Sequence, residues 1–161
     1  MSDAVAVPPE EVAAEEPQVP TRRLLVFELG AHGYACDMDA FREIVPNQEM
    51  TRLPGAPETV CGLINLRGTI VTVIDGGVAL GKQAFKRAEG LILLVDYLER
   101  LVGVGVDDVR DVQDVPIDQF APVGDTATPA GAVTSAIEID GKRVLVLDIK
   151  TVVQQVIGQG R

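Results

Sequence analysis

The sequence predicts a mainly β fold built from two similar small units around one shared core. Three observations point that way. The 161-residue chain is 47% apolar but only 4% aromatic, with no Trp, so Val, Ile and Leu must fill the interior. Branched aliphatic side chains pack well on a pleated surface and favour sheet over helix. Short alternating apolar segments recur between Gly, Pro and Asp breaks, and two blocks of sequence repeat in order further along the chain.

Taken in order, residues 1–21 combine Pro, Ala and Glu without periodicity and read as a disordered acidic N-terminal arm. Residues 1–20 hold five acids and no Lys or Arg, half the excess in a chain of net charge −10. Order is expected from Arg22. "RLLVFELG", 23–30, reads as a strand, "AHG" as a turn and "YACDM", 34–38, as the returning strand. "DAFREIVP", 39–46, reads as a short helical turn capped by Asp39 and stopped by Pro46. A Pro-broken loop follows at 50–60. "GLINLRGTIVTVID", 62–75, reads as two strands around an Arg67–Gly68 turn, with Ile64 and Leu66 on one face and Asn65 and Arg67 on the other. Strands are also expected in 90–96, 100–109 and 134–148, with a loop at 117–132. In "IKTVVQQVIG", 149–158, Ile149, Val152, Val153, Val156 and Ile157 keep helical spacing and Gly158 supplies a stop.

The repeat has two parts. At an offset of 68, Tyr34–Ile44 falls on Val102–Val112, matching Asp39 with Asp107, Arg42 with Arg110 and Glu43 with Asp111. At an offset of 73, the segment from Ile64 to Asp75 falls on the segment from Ile137 to Asp148. Each unit is about 60 residues, too small to bury much alone, so the two must share a core.

Composition excludes several functions. The acidic balance argues against nucleic acid, whose phosphates demand a basic face, and against anionic membrane surfaces. The longest apolar run, Leu91–Val95, is far too short to cross a bilayer, and no signal peptide is legible, so a cytoplasmic protein is expected. Cys36 and Cys61 form no C-x-x-C; reduced core thiols are the expectation, with a lone disulfide as the alternative. His32, the single histidine, sits in a turn, which argues against nucleophilic catalysis; no His/Cys cluster suits zinc. Acid pairs such as Asp107–Asp108 read as solvated or capping groups.

One motif invites an enzyme. Gly76-x-x-x-x-Gly81-Lys82 after a strand has the outline of a phosphate-binding loop. Gln83 stands where Ser or Thr would hold Mg²⁺, and residues 83–89 leave no room for the long helix whose N–H groups would face phosphate. Asp75 also has a repeat partner, Asp148, with no glycine loop after it. A turn after a hairpin is the expectation, with no cofactor and no metal. Gly103-x-Gly105 lacks a third glycine and reads as small residues in a curled strand.

Arg67 stands apart. Its repeat partner is Asp140, so the repeated architecture does not require arginine there. An arginine on a rigid tip offers five donors in a fixed fork and suits an interface anchor; the bland reading is a solvated turn charge. The ordered set "LLVFELGAHGYACDMDAFREIVP", "LPGAPETVCGLINLRGTIVTVIDGGVALG", "LVGVGVDDVRDV" and "VLVLDIKTVV" resembles the CheW-type chemotaxis coupling proteins over about residues 23–155.

The resemblance implies two five-stranded SH3-like β-barrels sharing a hydrophobic core, with short helices and a C-terminal helix. It implies a CheW-like domain over 22–158, with barrel subdomains of roughly 22–88 and 89–158 and termini that cross between them. It implies a non-enzymatic cytoplasmic scaffold at receptor arrays, joining chemoreceptor hairpin tips to the regulatory domain of a CheA-type histidine kinase. A parallel pathway such as type IV pilus motility is the alternative. Receptor-binding positions carried over residue by residue are Arg67, Phe41, Glu43, Leu91, Val109 and Val112. The sequence departs from the family pattern at Thr72, where Pro is usual, and at Gly76–Gly77, which is expected to loosen residues 76–81. Phe41 is bulkier than the usual Val, which bears on partner choice.

Overall fold

The computed structural model describes residues 19–86, 89–124 and 131–158. The predicted acidic arm lies almost wholly outside the described residues, as does part of the 117–132 loop. Strands β1 (Thr21–Leu29), β2 (His32–Asp37), β3 (Glu43–Pro46), β4 (Val60–Leu66) and β5 (Thr69–Asp75) lead to a one-turn helix, α1 (Gly76–Ala79). Strands β6 (Leu91–Tyr97), β7 (Arg100–Val106), β8 (Asp108–Pro116), β9 (Val133–Ile139) and β10 (Lys142–Leu147) lead to α2 (Ile149–Ile157).

The strands form two five-stranded sheets, ordered β8-β1-β2-β10-β9 and β3-β6-β7-β5-β4. Exchanging each strand for its counterpart in the other repeat, β1 for β6, β2 for β7 and so on, turns the first order into the second. The registers agree as well. The parallel pair of β5 and β7 sets Thr72 opposite Val102; that of β10 and β2 sets Leu145 opposite Tyr34. These are the same positions displaced by the offsets of 73 and 68 found in the sequence.

Each sheet takes a hairpin from one repeat and three strands from the other. The chain leaves the first sheet between Asp37 and Glu43 and returns between Val106 and Asp108. A division near residues 88 and 89 therefore separates the repeats, while the sheets exchange strands across it. Such a swap leaves neither repeat able to complete its own sheet.

Alternation along β1 links the two sheets. Leu25, Phe27 and Leu29 enter a large shared core with Val71, Val73, Ile92 and Leu94 from the second sheet. Leu24 and Val26 point the other way, into a smaller cluster with Ala35, Val115, Ile137, Val144 and Val146. Helix α2 lays Ile149, Val152, Val153 and Val156 on the shared core, so its apolar stripe is what holds it. Each fully buried aliphatic side chain contributes about 1.5–3 kcal/mol.

Three expectations need correction. Residues 39–46 are not one helical turn: a 3₁₀ turn covers Met38–Ala40, with no side-chain cap, and β3 follows, pairing Ile44 with Leu93 on β6. Tertiary pairing overrides the local helical signal there. The strand expected at 100–109 ends at Val106, and Asp107 breaks it; Asp107 N donates to Glu28 O, and β8 starts on the other sheet.

Residues 76–81 are not loosened by glycine either. Asp75 caps α1 by accepting from Val78 N, and its Oδ1 also accepts from Phe85 N. A Cβ on Gly77 would lie 1.9 Å from Gln83 O, and one on Gly76 would lie 2.5 Å from Gly105 O. The glycines are there for close approach of backbone to backbone.

Candidate functional site

The glycine-rich loop is closed on itself. Leu80 N donates to Gly76 O and Gly77 O, Gly81 N to Val78 O and Lys82 N to Gly77 O, while Val78 N is held by Asp75. The N–H groups of Val78, Leu80, Gly81 and Lys82 are thus spent within the loop, and α1 is a single turn, without the long helix that a phosphate site would use. Among the described residues no group of three His, Cys, Asp or Glu side chains could hold a metal. Cys36 is a free, fully buried thiol, and burial, with a smaller contribution from Asp37, pushes its pKa up to about 12. A thiol held neutral in this way is a poor nucleophile.

Arg67 and Gly68 form the two-residue turn between β4 and β5, with φ of 51° and 88°. Positive φ at both central positions suits a tight hairpin whose twist matches its strands. Gly68 N donates to Asn65 Oδ1 at 2.9 Å, which braces the turn. The left-handed conformation costs an ordinary L-residue about 1–2 kcal/mol, and Asn, Asp or Gly usually carry it. The other repeat obeys that rule: Asp140 and Gly141, with φ of 53° and 77°, make the same turn between β9 and β10. Arginine at position 67 is therefore a choice the hairpin itself does not ask for.

The Arg67 guanidinium reaches back across the barrel mouth. Its Nη2 donates to Glu43 Oε1 at 2.8 Å, with the arginine side chain 66% exposed. Next to it, Arg42 pairs with Asp96 at 3.0 Å. The Arg42–Asp96 pair has a repeat equivalent, Arg110 with Glu28. The Arg67–Glu43 pair has none, because the equivalent residues, Asp140 and Asp111, are both acids. Exposed pairs like these contribute about 0–1 kcal/mol, so the fold gains little from this one.

Of the other positions carried over from the resemblance, Phe41 precedes this pair in the chain and packs partly buried against the shared core. Leu91 is half-buried on β6, opposite Pro46 and Val106. Val109 and Val112 lie on β8, on the other sheet, opposite Phe27 and Leu25. Val109 packs on the shared core, while Val112 is exposed. The structure thus joins Arg67 directly to Glu43 and sets the two valines on the neighbouring sheet's outer strand.

The two most exposed large apolar residues among those described escaped the sequence reading: Leu98, at the β6–β7 turn, and Ile70, at the start of β5. Laying the repeat over the turns as well as the strands would have shown them, since their partners, Gly30 and Arg143, are of a different kind.

The comparisons with known proteins now bear on this geometry. The model of the CheW-like domain matches residues 23–156. "Chemotaxis protein CheW" of Klebsiella aerogenes is 32% identical over 128 residues, covering 78% of this chain and 77% of that protein. "Protein PilI" of Pseudomonas aeruginosa is 29% identical over 96 residues, covering 59% of this chain and 54% of that protein. Among solved structures, the scaffolding protein TtCheW from Thermoanaerobacter tengcongensis superposes with a TM-score of 0.74 at 26% identity, over 86% of this chain and 90% of that one. The two five-stranded sheets are accordingly the two SH3-like barrels of that architecture.

Proposed function

This chain belongs to the CheW-like domain family, a family of scaffold proteins, and on that premise we propose that it is a non-enzymatic adaptor. It couples the cytoplasmic hairpin tips of chemoreceptors to the regulatory domain of a CheA-type histidine kinase, and it works in the cytoplasm, at receptor arrays on the inner face of the membrane. No helix among the described residues is long and apolar enough to cross a membrane, so membrane proximity comes from the receptor.

The observation that carries this reading is Arg67: exposed, held at positive φ against its conformational preference, and unexplained by the repeat. A backbone outlier of this kind is a reason to look for function. The guanidinium supplies orientation through directed donors, while Phe41, Leu91, Val109 and Val112 supply apolar contact along a helix lying between the barrels. Glu43 holds the arginine in place until a partner competes for it.

A bridging assay tests the adaptor. Beads carrying a soluble receptor hairpin fragment should retain the kinase regulatory domain only when this chain is present. Retention without the chain, or none with it, contradicts the proposal. The match to Protein PilI, a relative whose name makes no reference to chemotaxis, favours a second reading: a coupling protein of a parallel array, such as one governing type IV pilus motility. Pull-down of the cognate kinase separates the two.

A further inference from the structure

A groove at one end of the second barrel is lined by Arg42, Ile70, Tyr97, Leu98, Leu101 and Ile157. Its two most prominent side chains are the two most exposed large apolar residues among those described. Leu98 is 75% exposed and Ile70 is 59% exposed. Leu98 and Glu99 also form a two-residue turn with φ of 51° and 64°, where a leucine pays the left-handed penalty and exposes its side chain as well.

The first barrel provides an internal control. The same turn there is Gly30–Ala31, with φ of 58° and 68°, and the position equivalent to Ile70 is Arg143. The registers make the equivalence firm: Tyr97 faces Arg100 as Leu29 faces His32, and Asn65 faces Ile70 as Glu138 faces Arg143. The first barrel even has a groove in the corresponding place, lined by Ala31, His32, Arg110 and Arg143. A barrel of this design closes without Leu98 and Ile70, so folding does not account for them.

The groove is continuous with the Arg67 site. Arg42, on its wall, lies between Phe41 and Glu43 in the chain, and Thr69, also on its wall, follows the Arg67–Gly68 turn. Its strands β5, β6 and β7 are interior strands of their sheet, each paired on both sides. They offer no free backbone edge, so an occupant must engage by side chains, as a helix does, and not by strand addition.

We propose that Leu98 and Ile70 extend the receptor-binding surface: the α-helical hairpin that meets Arg67 also lays aliphatic side chains into this groove, and the two residues set which receptors are accepted. This rests on the adaptor reading above.

The test uses the residues that the first barrel already carries. Full-length Leu98→Gly and Ile70→Arg, with Arg67→Glu in parallel, are titrated with a soluble receptor hairpin fragment and separately with the kinase regulatory domain. Both groove variants should melt close to the parent protein, bind the receptor fragment about tenfold more weakly, and bind the kinase domain unchanged. Leu98→Asn, a side chain at home at positive φ, repeats the readout if either variant melts early. Parental receptor binding in the groove variants, with Arg67→Glu defective, overturns this inference and leaves the adaptor reading intact. No binding by the parent protein overturns the adaptor reading itself, whereas full binding by Arg67→Glu overturns the role given to Arg67 and, with it, this inference. Loss of kinase binding in the groove variants, or a parent protein that dimerises in sedimentation velocity while the groove variants do not, assigns the groove to another occupant and also overturns it.

Discussion

Arg67 Nη2 sits 2.8 Å from Glu43 Oε1, although the turn carrying Arg67 follows β4 and Glu43 belongs to β3, strands at opposite ends of the five-strand order. Only a sheet curled into a barrel brings those ends together, and the ion pair lies across the mouth so formed. The other barrel closes with two acids at the equivalent positions, Asp140 and Asp111. Closure therefore does not depend on the pair.

Removing the arginine should not harm the fold. Arg67→Asn replaces a strained residue with one that tolerates positive φ and forfeits only an exposed ion pair. Thermal melting should give a change between zero and about 1 kcal/mol in favour of the variant. A loss of more than that would make Arg67 a structural residue.

The two kinds of glycine should respond differently. Gly77→Ala forces a methyl group to within 1.9 Å of Gln83 O and should cost about 3 kcal/mol, read from urea unfolding. Gly68→Ala has open space around it and only its φ of 88° to contend with, so its cost should be about 1 kcal/mol.

Asp75 and Asp148 occupy the same place in the repeat and cap α1 and α2 respectively. Asp75 is 1% exposed and accepts from both Val78 N and Phe85 N, whereas Asp148 is exposed and accepts from Thr151 N. Asp148→Ala should cost about 1 kcal/mol as a lost cap. Asp75→Ala leaves buried donors unsatisfied and should cost about twice as much or more by the same measurement.

Burial holds Cys36 neutral, from 9.0 up to about 12. Its thiol should stay silent towards a thiol reagent at pH 8 until denaturant is added. The folded pKa lies above the unfolded one, so the folded state keeps its proton longer. The stability tied to that proton is complete below about pH 9 and falls as pH rises towards 12. Tyr34, raised by desolvation, acts in the same direction. Cys36→Ala should lose less stability than the parent between neutral pH and about pH 10.5; an equal loss would contradict the assignment.

Much of this was legible in the chain because the repeat is written twice. The offsets of 68 and 73 fix the parallel registers of Thr72 with Val102 and of Leu145 with Tyr34. The alternation of Ile64 and Leu66 against Asn65 and Arg67 separates buried from exposed side chains as expected. What was hidden depends on distant partners. "DVRDVQDVP" is too acidic to read as a strand, yet β8 forms because β1 pairs along it, and Asp108 and Asp111 accept from the backbone N–H of Val109 and Val112. The four residues of β3 look helical until β6 is beside them. The strands expected at 90–96 and 100–109 leave a break between them, but Leu98 and Glu99 carry none of the residues that announce a two-residue turn, so its positive-φ geometry and the exposed leucine on it appear only in the fold.

The most direct measurement is calorimetric titration of the parent protein and Arg67→Glu with a soluble receptor hairpin fragment, with a melting curve for each. Binding by the parent and none by the variant, at closely similar melting temperatures, is the predicted result. Equal binding by both proteins, or a variant that has lost its fold, would contradict the role given to Arg67.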